Sequence, residues 1–147
     1  LDAQHDSVLM NLSRELVHEM FRHALEAPVS GNGTREEACG ILAGEDERIT
    51  KFFPAINAEH SPTRFVVDAQ DQLRIMKDIY ANDWDLVGIF HSHTHTQAYP
   101  SSTDVSLAVN WPEAYYLIAS LMSDEPVLRA FRIVNGQVTE EDVVIQD

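Results

Sequence analysis

The chain has a single cysteine, Cys39, among 147 residues. That excludes an internal disulfide framework and any cysteine-rich zinc site, and it fits a reducing compartment. Cations are also scarce: eight Arg and only Lys51 and Lys77 stand against 24 acids, for a formal charge of −14. With no basic run anywhere, neither nucleic acid nor an anionic membrane is an expected partner. The acids are spread along the chain and form no tail, which suits a solvated acidic surface, an ordinary solubility device that would also serve at high salt or toward a basic partner. No apolar stretch approaches the roughly 20 residues that span a bilayer, and Leu1 to Ser7 lack the charged-then-apolar order of a signal peptide. A soluble, cytoplasmic protein is expected. Repeats, low-complexity tracts and Pro- or Gly-rich linkers are absent too, so residues 1–147 are expected to form one domain around one core, with the first few residues disordered.

What is present alternates between helical and strand periodicity. A short apolar run, Val8 to Leu12, precedes Ser13, a helix N-cap for a segment whose Leu16, Val17, Met20, Phe21, Ala24 and Leu25 share one face. Pro28 follows its end, and Pro28 to Thr34 reads as a loop. Ala38 to Ala43 is a short apolar strand, Glu45 to Glu47 a polar turn, Ile49 to Ile56 a second strand and Phe65 to Val67 a third. Asp68 caps a helix to about Asn82, with Leu73, Met76, Ile79 and Tyr80 toward the core. Leu86 to Phe90 is an apolar strand that runs directly into His91. Ser101 or Ser102 starts a short helix ending before Pro112. A strand near Tyr115 to Leu121 then leads to a hairpin, Val127 to Val134 and Gln137 to Ile145, turned at Asn135-Gly136. Three helices and about seven strands predict a mixed α/β layered domain.

The chemistry concentrates in the fourteen residues from His91 to Asp104. Residues two apart on an extended chain point to the same side, so His91 and His93 can aim both imidazoles at one point, while Ser92 faces away. Asp104 falls on the first turn of the next helix, eleven residues past His93, and its carboxylate can fold back to them. Two imidazoles, one carboxylate and an open fourth position describe a catalytic zinc site. Hydrolysis also needs a group to take a proton from water and hand it to the leaving amine. Glu37 is the best candidate because it opens an apolar strand, whereas other acids sit in polar turns. Ser101 can offer its hydroxyl to an oxyanion at the attacked carbonyl.

These residues resemble the JAMM (MPN+) zinc metalloproteases, whose pattern is a Glu in a distant Glu-x-Cys-Gly strand, then His-Ser-His, seven residues, Ser, two residues, Asp. Here it reads Glu37-Ala-Cys39-Gly40, His91-Ser92-His93, Ser101 and Asp104, with Val87-Gly88-Ile89-Phe90, Asn57 and Ser61-Pro62 adding to the likeness. The resemblance implies a single MPN domain, a mixed, mainly antiparallel sheet packed between helices. It implies one Zn2+ on His91, His93 and Asp104 with water as fourth ligand, Glu37 as general acid and base, and Ser101 as stabiliser of the tetrahedral intermediate. It further implies cleavage after the C-terminal Gly-Gly of a ubiquitin-like protein. Thr94 and Ala98-Tyr99-Pro100-Ser101 resemble the short bacterial branch, the Mec-type peptidases, whose substrates are small ubiquitin-like sulfur carriers and whose released residue is cysteine in the best-known case. The long insertions with which eukaryotic relatives grip a second ubiquitin are missing. His95 departs from the pattern and stands as a rival to Asp104 for the metal or as a substrate contact.

Taken singly, each residue has a plainer reading. Ser101 before a helix is an N-cap, Asp104 in a first turn serves the helix dipole, and Glu37 is a surface acid beside Glu36. Their joint occurrence at these spacings favours the site. Cys39 reads as a small buried core residue; His5, His18, His23 and His60 read as ordinary polar positions; Trp84, Trp111, Tyr115 and Tyr116 read as core, and Tyr99 as a residue bordering the cleft. The alternative function is a catalytically silent MPN scaffold that binds partners in a larger complex; replacement of Glu37, either histidine or Asp104 would have favoured it, and none is replaced. The oligomeric state has no signature in the sequence.

Overall fold

The computed structural model describes residues 10–46 and 48–147. His5, the expected disorder of the first residues, the first half of the Val8 to Leu12 run and Glu47 of the polar turn lie outside them. The chain runs β1 (Met10–Ser13), α1 (Arg14–Leu25), β2 (Cys39–Glu45), β3 (Arg48–Ala55), α2 (Ala69–Ala81), β4 (Asp85–His93), α3 (Ser102–Leu107), a 3₁₀ turn (Ala108–Asn110), β5 (Tyr115–Ser120), β6 (Val127–Val134), β7 (Gln137–Glu141) and β8 (Val143–Gln146).

Six strands form one sheet in the order β3-β2-β4-β5-β6-β7, antiparallel throughout except at β4–β5. The mixed, mainly antiparallel sheet therefore matches expectation. Alternation along β5 shows how one sheet serves two cores: Leu117 and Ala119 face the layer under α1, and Tyr116 and Ile118 face the layer under α2 and α3. Helix α1 buries Leu16, Val17, Met20 and Ala24 on the first face, each large side chain contributing roughly 1.5–3 kcal/mol. All three helices start at the serine or aspartate read from sequence. Ser13 Oγ accepts from the Leu16 N–H, Asp68 Oδ2 from Asp71 and Ser101 Oγ from Asp104, each at 3.1 Å. The Asn135-Gly136 hairpin is also present, with φ of 51° and 77°, the doubly positive pair of a type I′ turn.

Four expectations need correction. In α2 the core stripe is Ile75, Met76 and Ile79, whereas Leu73 and Tyr80, 60% and 73% exposed, lie on the outer side of the helix. Leu25, the last residue of α1, is half exposed. Phe65 to Val67 is not a strand: the Ala58 N–H to Val66 carbonyl and Asp68 N–H to Ile56 carbonyl bonds flank a single bridge, Val67 to Asn57, and pairing stops there because Asn57 Oδ1 takes the Val66 N–H. The stretch Gln137 to Ile145 is two strands, giving eight in all among the described residues. After Asp142 the chain leaves the large sheet, and β8 pairs in parallel with β1, Met10 opposite Val143 through Ser13 opposite Gln146.

Candidate metal centre

The parallel pair β4–β5 sets the position of the site. In open α/β sheets, ligands gather beyond the carboxyl ends of parallel strands, and β4 ends in His91-Ser92-His93 just before the loop to α3. Cys39 pairs with His91, and one residue earlier the Ala38 N–H donates to Ser92 Oγ at 2.8 Å while the Ser92 N–H donates to the Ala38 carbonyl at 3.0 Å. Ser92, facing away from the imidazoles, thus pins the residue after Glu37 to the histidine strand.

His91, His93 and Asp104 are all buried, and their ligand atoms converge. Asp104 Oδ2 lies 3.1 Å from His91 Nε2 and 3.0 Å from His93 Nε2, and the two Nε2 atoms are 3.1 Å apart. The His93 Nδ1–H donates to the Gln97 carbonyl at 2.8 Å, which leaves the Nε2 of a neutral ring as a bare lone pair facing the carboxylate. The same carboxylate oxygen accepts the Ser101 N–H at 2.9 Å, completing a capping box with the serine hydroxyl. Three electron-pair donors this close need a shared proton or a cation between them. Two imidazoles and a carboxylate, buried and aimed at one point, fit a divalent metal such as zinc.

Electrostatics divide the groups. Burial works against the Asp104 anion, but His91, His93 and the Ser101 N–H outweigh it and hold the carboxyl far below the usual range. Burial lowers His91, only partly offset by Asp104. For His93, burial also opposes the charge, and the bonds to Asp104 and Gln97 prevail and raise it. Glu37 moves the other way. Desolvation pushes its carboxyl from 4.5 to about 8, His93 opposing and Asp104 reinforcing, and its Oε1 is buried with no hydrogen-bond partner.

The structure thus brings His91, His93 and Asp104 into contact, places Ser101 one bond from Asp104, and sets Glu37 within electrostatic reach of His93 and Asp104. His95 is exposed and outside the donor cluster, so it does not rival Asp104. Tyr99, 42% exposed, packs edge-on against Phe131 beneath the Arg129 guanidinium. Two contributors escaped the sequence reading. Phe65 stacks on the His91 ring with centroids 4.4 Å apart, its aromatic signal having been absorbed into a strand assignment. The Gln97 carbonyl is a backbone group, for which no side-chain pattern exists. A cavity of about 410 Å³ opens beside Asp104, walled by Phe65, Val67, Ile89, Leu107, Trp111 and Tyr116.

Comparison with known proteins agrees with this geometry. Residues 13–134 match the family of prokaryotic homologs of the JAB domain. The chain is 42% identical over 132 residues to the CysO-cysteine peptidase of Mycobacterium tuberculosis, covering 88% of this chain and 86% of that protein. It is 30% identical over 114 residues to the desampylase of Haloferax volcanii, covering 76% and 80%. A solution structure from Desulfitobacterium hafniense superposes with a TM-score of 0.81 at 34% identity, covering 93% of this chain and 92% of that one. A fold, a buried donor set and a family match over most of the chain lead to the same place: this protein is a member of the prokaryotic JAB-domain family, with its single α/β JAB/MPN domain.

Proposed function

We propose that this protein is a zinc-dependent peptidase that hydrolyses the bond following the C-terminal Gly-Gly of a small ubiquitin-like sulfur carrier, releasing one residue, cysteine in the first instance. The observation that carries the proposal is the buried convergence of His91, His93 and Asp104 with a protonatable Glu37 beside it. The names of the relatives, a CysO-cysteine peptidase and a desampylase, support the substrate class.

In this reading His91, His93 and Asp104 hold one zinc ion, which when bound supplies Lewis-acid polarisation of a carbonyl and of water. Glu37 takes the proton of the attacking water and delivers it to the leaving amine. A carboxyl that holds its proton to about pH 8 when no metal is present suits the delivery half of that cycle. Ser101 Oγ accepts the Asp104 N–H, which leaves its own O–H free to donate to an oxyanion. The cavity beside Asp104, lined by Phe65, Val67, Ile89 and Trp111 with Gln72 and Asn110, is the place for the carrier's tail.

The test is intact-mass measurement of a ubiquitin-like carrier ending Gly-Gly-Cys after incubation with the protein, with and without a zinc chelator. Loss of one cysteine mass, blocked by chelator, is expected. An unchanged mass with zinc bound overturns this substrate assignment. If metal-free protein and a Glu37→Ala variant also support the biological role fully, the scaffold reading replaces the peptidase one.

A further inference from the structure

Residues between β3 and α2 form no strand, yet they are organised around one buried amide. Asn57, 4% exposed, donates from Nδ2 to the Glu37 and Arg64 carbonyls at 3.0 Å and to the Ser61 carbonyl at 3.4 Å. Its Oδ1 accepts from the Glu59 N–H at 3.0 Å and the Val66 N–H at 3.1 Å. Three carbonyls can only accept and two N–H groups can only donate, so the amide has one orientation. The Glu37 N–H in turn donates to the Ser61 carbonyl at 2.9 Å. Both backbone polar groups of Glu37 therefore end on the segment that Asn57 holds.

This matters because the Glu37 side chain is not tethered at its tip: Oε1 is buried without a hydrogen-bond partner. Where the carboxyl sits is decided by the backbone beneath it. That backbone has two anchors, Ala38 on Ser92 in the histidine strand and Glu37 itself on the Asn57 segment. The same segment covers the site, with Phe65 on the His91 ring and the Thr94 hydroxyl donating to the Pro62 carbonyl at 3.4 Å.

We infer that Asn57 is a positioning residue for Glu37, fixing the distance between the proton-transferring carboxyl and the His91–His93–Asp104 cluster. The inference rests on the role proposed above for Glu37. Misplacing a reacting group by about 1 Å costs on the order of a hundredfold in rate. Asn57 bonds Glu37 directly but reaches the metal-ligating residues only indirectly, through Phe65 stacked on His91, so its loss acts chiefly on proton transfer.

The test is Asn57→Asp, which keeps the size and the acceptor half of the amide but removes the donors to Glu37, Ser61 and Arg64. With the carrier substrate, kcat is expected to fall about 10- to 100-fold at unchanged KM, with zinc stoichiometry and zinc affinity, read by competition with a chromophoric chelator, both unchanged. In a Glu37→Gln background the same substitution is expected to add no further loss in single-turnover rate. Unchanged kcat, an equal further loss in that background, or loss of zinc in step with activity each overturn the inference. Should the variant not fold, native-state hydrogen exchange of the wild-type protein decides: the Glu37, Glu59 and Val66 amides are expected to open as one unit, and independent opening of Glu37 overturns it. If the wild-type protein leaves every Gly-Gly carrier intact, the proposed peptidase falls, while the exchange experiment still settles whether Asn57 holds Glu37.

Discussion

Replacing Glu37 by Gln in the metal-free protein should stabilise it at neutral pH and above, and by an amount that depends on pH in a fixed way. Below pH 4.5 the Glu37 carboxyl is neutral in both the folded and the unfolded chain, and glutamine and glutamic acid are nearly equivalent there. Between pH 4.5 and about 8 the unfolded chain ionises while the fold keeps its proton, so wild-type stability falls as pH rises. Above about 8 both states are ionised and the penalty is constant. At about 1.4 kcal/mol per pH unit, ionising Glu37 inside the fold costs up to about 5 kcal/mol. Glu37 is only 4% exposed and its Oε1 is fully buried, so solvent screening removes little of this. Urea denaturation in the presence of a chelator, at pH 5, 6, 7 and 8, checks it. With a slope near 2 kcal/mol per M, the variant's midpoint should exceed that of the wild type by about 2 M at pH 8 and by very little at pH 5. Zinc should narrow the gap, because a nearby cation favours the ionised carboxylate. A difference between the two proteins that does not change with pH would refute the reasoning.

Four other substitutions give sharp outcomes. Ser101→Ala removes the α3 cap and, on the proposed mechanism, the oxyanion donor as well: a loss of about 1 kcal/mol by thermal melt and about a hundredfold in kcat is expected, so activity should drop far more than stability. His93→Ala should bring zinc content, read by atomic absorption, to zero and abolish the stabilisation that zinc gives the wild type, about 4 kcal/mol at a thousandfold excess over Kd. Gly44→Ala should prevent folding, because its Cβ would sit 1.5 Å from the Arg48 carbonyl oxygen, whereas Gly31→Ala, with nothing within 4 Å, should leave the melting temperature unchanged.

The donor set could be read in the sequence because each of its geometric rules is local. An i, i+2 pair shares a strand face, and Ser101 with Asp104 is a capping box whatever else it does. What escaped was decided at longer range. In α2, Leu73 and Tyr80 fit a helical stripe as well as Ile75 and Ile79 do, and only the direction of the sheet chooses between them. The segment Phe65 to Val67 has strand composition but pairs through one bridge only, because the Asn57 side chain takes the Val66 N–H. Strand β8 looked like the tail of a hairpin arm because its partner, β1, is remote in sequence.

That last pairing bears on how the chain is made. Met10 meets Val143, and Arg14 bonds Asp147 across 133 residues, so β1 finds its partner only once β8 has been synthesised. Closing so long a loop is entropically late, and nothing local rewards it earlier. Until then β1 has no hydrogen-bonded strand partner, and Met10 and Leu12 have only the core they share with α1 and β3 for cover. During translation the emerging domain therefore carries an unpaired β1 until β8 appears, and the arrival of β8 is the event that seals it.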